Sequence, residues 1–174
     1  MLNSADTAQQ TAFFIDTLGF KLSDSTDIMN FVRCSSDHHS IAMARGSGPG
    51  LNHMAYEIAN HDGLMRGAGR MKTHGFNVEW GVGRHGPGDN VFSYFVDPHG
   101  YVVEYTCEIE QVDEATYTAH DAAFWRAFPG RPCRWNMATQ PSNRFKAAAA
   151  GDFSVADPEA GRRCEEIIAK KLHG

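Results

Sequence analysis

No stretch of this chain carries the roughly 18 consecutive apolar residues of a membrane-spanning helix. Positive charge is scarce. Against 21 Asp and Glu there are 16 Lys and Arg, a net charge of −5, which offers no electrostatic footprint for nucleic acid or an anionic membrane. The start has no basic segment followed by an apolar one, so it does not read as a secretory signal, and a cytoplasmic location is expected. Cysteine is sparse. Cys34, Cys107, Cys133 and Cys164 include no C-x-x-C pair, so neither a zinc knuckle nor a thioredoxin-type motif is present, and reduced, inert thiols are expected. What is present is globular in kind: 42% hydrophobic and 21% charged residues over 174 positions, enough for one domain and an extension. Nine histidines stand out, because imidazole is the commonest transition-metal ligand and titrates near neutral pH.

Three regions separate along the chain. Residues 1–46 read as a βαβββ unit. Ser4 or Asp6 caps a helix bearing Ala8, Phe13, Phe14 and Leu18 that stops at Gly19, and strands follow over 20–23, 28–34 and 39–44. A glycine-rich turn over 46–50 leads to a second unit, 51–110. Here the strand 52–58 precedes a helix capped near Asn60 or Asp62 that carries Leu64, Ala68 and Met71 and ends at Gly75. A strand over 76–81 and a hairpin of 91–96 and 101–107 follow, turned by Asp97-Pro98-His99-Gly100. Residues 111–174 form an extension: a helix over 114–128, an irregular stretch over 129–135, a helical turn over 147–150 and a last helix starting at Asp157-Pro158. It is expected to wrap the domain or a neighbouring subunit, or to be disordered in its last part.

The two units are related. Leu18-Gly19-Phe20 matches His74-Gly75-Phe76 at an offset of 56, which also places Asp6 on Asp62. Paired βαβββ units predict an α+β fold in which eight strands form a cup-shaped mixed sheet with an open concave face. Carrying His53 back by 56 falls about four residues before Met1. The strand that opens the first unit is therefore expected to be mostly missing, as in a fragment or a mis-started reading frame, or with another chain supplying that edge.

Two residues point to metal chemistry. His53 in Leu51-Asn52-His53 and Glu104 on the strand after the turn are two thirds of a 2-His-1-carboxylate set, the ligand arrangement of non-haem Fe(II) oxygenases. A five-residue turn pairs Tyr94 with Glu104 on one face and a four-residue turn does not; the sequence leaves both open.

These runs carry a resemblance. Leu51-Asn52-His53, Gly83-Arg84-His85 leading to Tyr94, and Asp97-Pro98 through Gly100 to Glu104-Tyr105 are similar to the catalytic half of type I extradiol ring-cleavage dioxygenases. Leu18-Gly19-Phe20 and His38-His39-Ser40-Ile41-Ala42 fit as well. Those enzymes belong to the vicinal oxygen chelate superfamily, with glyoxalase I and bleomycin-resistance proteins, and the likeness covers about residues 2–110. The resemblance implies a vicinal oxygen chelate fold and Fe(II)-dependent cleavage of a catechol-type diol by O2, with Mn(II) as an alternative metal. It implies that His53 and Glu104 are metal ligands, that His38 is the acid-base histidine, that His85 hydrogen-bonds a substrate oxygen and that Tyr94 hydrogen-bonds the catecholate. The family's first ligand, a His on the opening strand, has no match here.

The residues themselves agree with this chemistry. Two neutral imidazoles and a carboxylate leave Fe(II) at net +1, which a catecholate neutralises, and a facial triad leaves three positions for two diol oxygens and O2. An imidazole suits the proton transfer. Strand alternation groups His38 with the small residues Ser40 and Ala42, which favours it over His39 as the ligand-facing residue, with His39 as the fallback. Phe92, Phe95, Tyr56 and Trp80 are candidates for the walls of an aromatic site or for core. His61, His74, His99, His120 and His173 read as surface residues. A small aromatic diol is the expected partner, with homo-oligomerisation. The rival readings are a glyoxalase-type isomerase, a metal-free binding module and an inactive fragment.

Overall fold

The computed structural model describes residues 1–130, 132–138 and 140–173, residue 173 by its backbone alone. Among the described residues nine strands form two sheets. The first contains β1 (Leu2–Ser4), β2 (Lys21–Ser25), β3 (Met29–Arg33), β4 (Ile41–Arg45) and β5 (Gly50–Leu51), in the order β2-β3-β4-β1-β5. The second contains β6 (Met54–Glu57), β7 (Trp80–Arg84), β8 (Val91–Val96) and β9 (Val102–Cys107), in the order β6-β9-β8-β7. Each sheet holds one βαβββ unit. α1 (Thr7–Ala12), continued by a π-helical turn over Phe13–Thr17, belongs to the first, and α2 (His61–Thr73) to the second.

Three expectations are corrected here. The eight strands do not form one continuous sheet; the units pair internally, and β5 adds a ninth strand beside β1. The opening strand is short but present, three residues long. β1 pairs in parallel with β4 and antiparallel with β5, so its backbone is bonded on both sides. The equivalent helix starts are Asp6 and Asn60, not Asp6 and Asp62. Asp6 Oδ1 accepts from the Gln9 N–H at 2.9 Å and Asn60 Oδ1 from the Gly63 N–H at 2.8 Å. The offset grows from 54 at these caps to 56 at Gly19 and Gly75, because the first helical segment is shorter.

Packing explains why β8 is buried along its whole length. Its two faces meet different partners, as strand alternation requires. Val91 packs with Leu64 of α2 and Cys107. Phe92, Tyr94 and Val96 pack on the other side with Val102 and with residues of the extension, Cys133, Ala138, Phe145, Ala148 and Ala149. Leu64, Gly67 and Ala68 form the buried stripe of α2, at the spacing one helix face demands. A Cβ on Gly67 would lie 2.9 Å from the Tyr105 ring, so glycine lets α2 approach β9. Burial of a side chain such as Phe92 stabilises by ~1.5–3 kcal/mol, so the extension's cover over this face is a large part of the core.

The extension contains α3 (Ala122–Ala127), α4 (Asn143–Ala149), a 3-10 turn (Phe153–Val155) and α5 (Pro158–His173). The helix expected over 114–128 forms only in its last part. Asp24 and Ser25 bond the backbone of His120 on both sides, which holds the preceding chain out of helix, and Asp121 then caps α3 by accepting from the Phe124 N–H. The turn expected at 147–150 is the end of the longer α4, capped by Ser142. α5 begins where Asp157-Pro158 predicted, with Asp157 accepting from the Ala160 N–H at 3.0 Å. The strand expected over 76–81 lies at Trp80–Arg84 instead, so the glycines of that run sit within a strand.

Candidate active site

Glu104 sits in the middle of β9, between Ala55 of β6 and Tyr94 of β8. His53 immediately precedes β6, and its Nε2 lies 3.2 Å from Glu104 Oε2. The hydrogen-bond chain behind His53 assigns its tautomer. Asn52 Nδ2 donates to Asn3 Oδ1 at 2.9 Å, leaving Asn52 Oδ1 to accept from His53 Nδ1–H at 2.9 Å. A neutral His53 therefore turns the Nε2 lone pair towards a carboxylate. Two acceptors at that separation require a proton or a cation between them. The pair suits a divalent metal as two of its ligands. Among the described residues no group of three His, Cys, Asp or Glu side chains completes such a site.

Burial pushes the Glu104 carboxyl up, but the adjoining His53, with His85 and the Tyr94 hydroxyl, outweighs it and holds the carboxyl below its ordinary value. The Tyr94 hydroxyl is driven the other way, by burial first and by the Glu104 charge second, so it stays protonated. His85 Nε2 lies 3.0 Å from Tyr94 Oη and 3.8 Å from Glu104 Oε1, and its ring stacks on Phe92 with centroids 3.9 Å apart. Burial lowers its pKa to about 4, against the opposing pull of Glu104.

Two cavities of about 240 and 470 Å³ meet at this point. Met1, His39, Ala42, His53, Asn90 and Glu104 line both. The larger, of a size that takes a small organic ligand, is also lined by His85 and Tyr94 and walled by Ile28, Met29, Trp80, Pro132 and Phe145.

The structure thus brings His53, Glu104, His85 and Tyr94 together. It does not bring His38 with them. His38 is fully buried and lines neither of these cavities, while His39 lines both. The alternation that favoured His38 assumed a strand beginning at His39. β4 begins at Ile41, so the two histidines lie on an irregular turn where alternation does not apply. His38 stands behind His39, its Nδ1 2.9 Å from His39 Nδ1 and its Nε2 3.0 Å from Asp24 Oδ2. Of the aromatic candidates Trp80 walls the larger cavity, Phe92 lies beneath His85, Phe95 packs on Tyr105, and Tyr56 is exposed. His61, His74 and His99 are at the surface, whereas His120 is half-buried and its backbone bonds Asp24. The His173 side chain lies outside the described residues.

Sequence reasoning missed Asn52, Asn90, Phe145 and Asp24. Asn52 was signalled only by its place beside His53. Asn90 Nδ2 donates to Thr106 Oγ1 at 2.7 Å, and its buried Oδ1 has no partner among the described residues, an unfilled acceptor in a residue that lines the cavity. Phe145 and Asp24 reach the site through tertiary packing alone.

Known proteins resemble this chain in sequence and in fold. Metapyrocatechase 2 of Cupriavidus necator is 38% identical over 103 residues, 58% of this chain and 32% of that protein. Biphenyl-2,3-diol 1,2-dioxygenase of Paraburkholderia xenovorans strain LB400 is 30% identical over 155 residues, 83% of this chain and 48% of that one. Among solved structures, the Mn(II)-bound glyoxalase from Novosphingobium aromaticivorans superposes with a TM-score of 0.70 at 42% identity, covering 82% of this chain and 47% of its own. The chain spans about a third to a half of the length of these relatives. Residues 1–105 match the family described as Glyoxalase/Bleomycin resistance protein/Dioxygenase superfamily, and the chain belongs to that superfamily.

Proposed function

We propose that this chain is the catalytic half of an extradiol dioxygenase, which opens the ring of an aromatic vicinal diol next to its hydroxyls and places both atoms of O2 in the product. The observation that carries this reading is the facing pair His53 and Glu104, with His85, Tyr94 and His39 around one cavity. His53 Nε2 and Glu104 would hold the divalent metal, Fe(II) or Mn(II). Once bound, that ion supplies a Lewis-acid seat for the two diol oxygens and a route for electrons to O2.

The remaining residues have separate tasks. Tyr94, held protonated, donates its O–H to a diol oxygen. His85 is held neutral and lies beside the Tyr94 hydroxyl, where it orients the same oxygen. His39 lines the cavity, with its pKa lowered by burial to about 3. It is neutral at pH 7 and free to accept a hydroxyl proton and return it later. Trp80, Phe145, Met29 and Ile28 give an aromatic ring an apolar wall and limit water at the reacting carbon.

A second reading, a metal-dependent isomerase of the glyoxalase type, has support in the Mn(II)-bound structural relative. The test is iron and manganese content after anaerobic Fe(II) reconstitution, in this chain and in Glu104→Ala, followed by assay with catechols. Stoichiometric metal that Glu104→Ala loses, with a coloured ring-opened product, supports the dioxygenase. Metal without ring opening but with isomerase turnover of a hemithioacetal supports the second reading. No metal in either protein sinks both for this chain.

A further inference from the structure

His39 is backed by a continuous buried chain of polar groups that ends on the extension. Asp24 is 1% exposed and takes four hydrogen bonds. Its Oδ1 accepts from Tyr117 Oη–H at 3.1 Å and from the His120 N–H at 2.7 Å, and its Oδ2 from Trp125 Nε1–H at 3.1 Å and from His38 Nε2 at 3.0 Å. Two of these partners, the His120 amide and the Trp125 indole, can only donate. A third, Tyr117, is kept protonated, since burial and the Asp24 charge raise its pKa. Three donors converging on one buried carboxylate favour its accepting form, and with it acceptance from His38 as well.

That polarity propagates. An acceptor at Asp24 Oδ2 requires the proton of His38 on Nε2. The Nδ1 of a neutral His38 is then a lone pair, and it faces His39 Nδ1 at 2.9 Å, which must carry the proton of that ring. His39 is left with an unprotonated Nε2. This atom makes no hydrogen bond among the described residues, and the ring lines the cavity beside His53 and Glu104. Gly88 closes over the junction: a Cβ there would stand 2.9 Å from His39 Cε1 and 3.2 Å from His38 Nδ1.

We propose that Asp24 and His38 are positioning residues that fix the tautomer of His39, so that the ring meets the ligand cavity as a base and never as an N–H donor. The donors on Tyr117, His120 and Trp125 make the extension after residue 110 part of this relay. The catalytic meaning of the base rests on the dioxygenase reading; the tautomer does not.

The test is a long-range ¹H–¹⁵N correlation spectrum of the full chain, labelled with ¹⁵N-histidine, at pH 8 with paramagnetic ions removed by a chelator. His38 is expected to show a protonated Nε2 and His39 a protonated Nδ1, each with a pyridine-type second nitrogen. In His38→Phe, which removes the acceptor, the bias of His39 is expected to relax by about tenfold towards Nε2–H, the worth of one hydrogen bond. A wild-type His39 protonated on Nε2, or a doubly protonated His38, overturns the proposal without any variant. So does a His38→Phe protein that keeps the wild-type His39 pattern. If catechol cleavage fails while the tautomers are as described, the relay stands and the dioxygenase reading falls.

Discussion

Tyr94 lies directly across from Glu104 in the β8–β9 pair, and the register is set by the five residues, 97–101, between the paired Val96 and Val102. An odd connection of this length keeps both side chains on the face that looks into the cavity. The turn is built for it. Asp97 Oδ1 accepts from the backbone N–H of both His99 and Tyr101 at 2.8 Å, and Gly100 takes a φ of +92°, which other residues adopt at a cost.

Asp97→Ala removes both of those bonds. The expected loss is about 1–2 kcal/mol of stability, read as a lower urea midpoint at unchanged slope. A midpoint equal to wild type would mean that the strands alone set the turn.

Asn52 orients His53 through its hydrogen bond to Nδ1. Asn52→Ala is expected to weaken Fe(II) or Mn(II) binding by about 10–100-fold, the usual cost of losing a bond behind a ligating imidazole. Asn52→Asp keeps the acceptor and should retain most of the affinity. Isothermal titration with Mn(II) compares the three proteins, and equal affinities would remove Asn52 from the account.

Tyr94→Phe separates binding from chemistry. The ring keeps its stack on Trp80, with centroids 5.2 Å apart, so the fold and the metal content should survive. The lost donor is expected to lower turnover of a catechol by about 10²-fold. Unchanged turnover would assign the hydroxyl a purely structural part.

What was legible in the sequence follows the range of each signal. The repeat, the helix caps within a residue or two, the hairpin and the pair His53 and Glu104 are local patterns and could be read. The identity of the cavity-facing histidine could not. His38 and His39 are adjacent, and only the position of Asp24 and the irregular turn before β4 turn one ring inward and the other out. The helix over 114–128 failed for a similar reason, since its backbone is claimed by a strand some ninety residues earlier.

Stability should fall on acidification. Burial holds His39 at about 3 and His85 at about 4, below the value near 6.5 of an unfolded chain. Between those limits the unfolded state binds more protons, so stability rises with pH and is fully present only above about 6.5. Each histidine contributes a slope of at most about 1.4 kcal/mol per pH unit, and the lowered Glu104 carboxyl adds to the decline in the same direction at the acid end. Urea unfolding at pH 7, 5.5 and 4.5 should show the decline, and His39→Gln should flatten it. A stability independent of pH over that interval would mean that neither ring is held neutral.

One substitution at two glycines should act with opposite sign. Gly83 lies on β7 where the extension meets the sheet, and a Cβ there would stand 2.7 Å from Phe92 Cζ, 2.8 Å from Cys133 Sγ and 2.9 Å from Ala138 Cβ. Those atoms belong to one packed core on both sides of the glycine, so none can yield alone. Gly83→Ala is expected to cost about 1–3 kcal/mol and to raise the rate at which protease cuts the extension. Gly69 sits inside α2, exposed, and a Cβ there would meet no atom within 4 Å. There the alanine only restricts the unfolded chain, and Gly69→Ala is expected to add about 0.5–1 kcal/mol. Thermal midpoints of the two variants should therefore lie on either side of wild type. A Gly83→Ala protein as stable as wild type would mean that the extension does not press on β7 in solution.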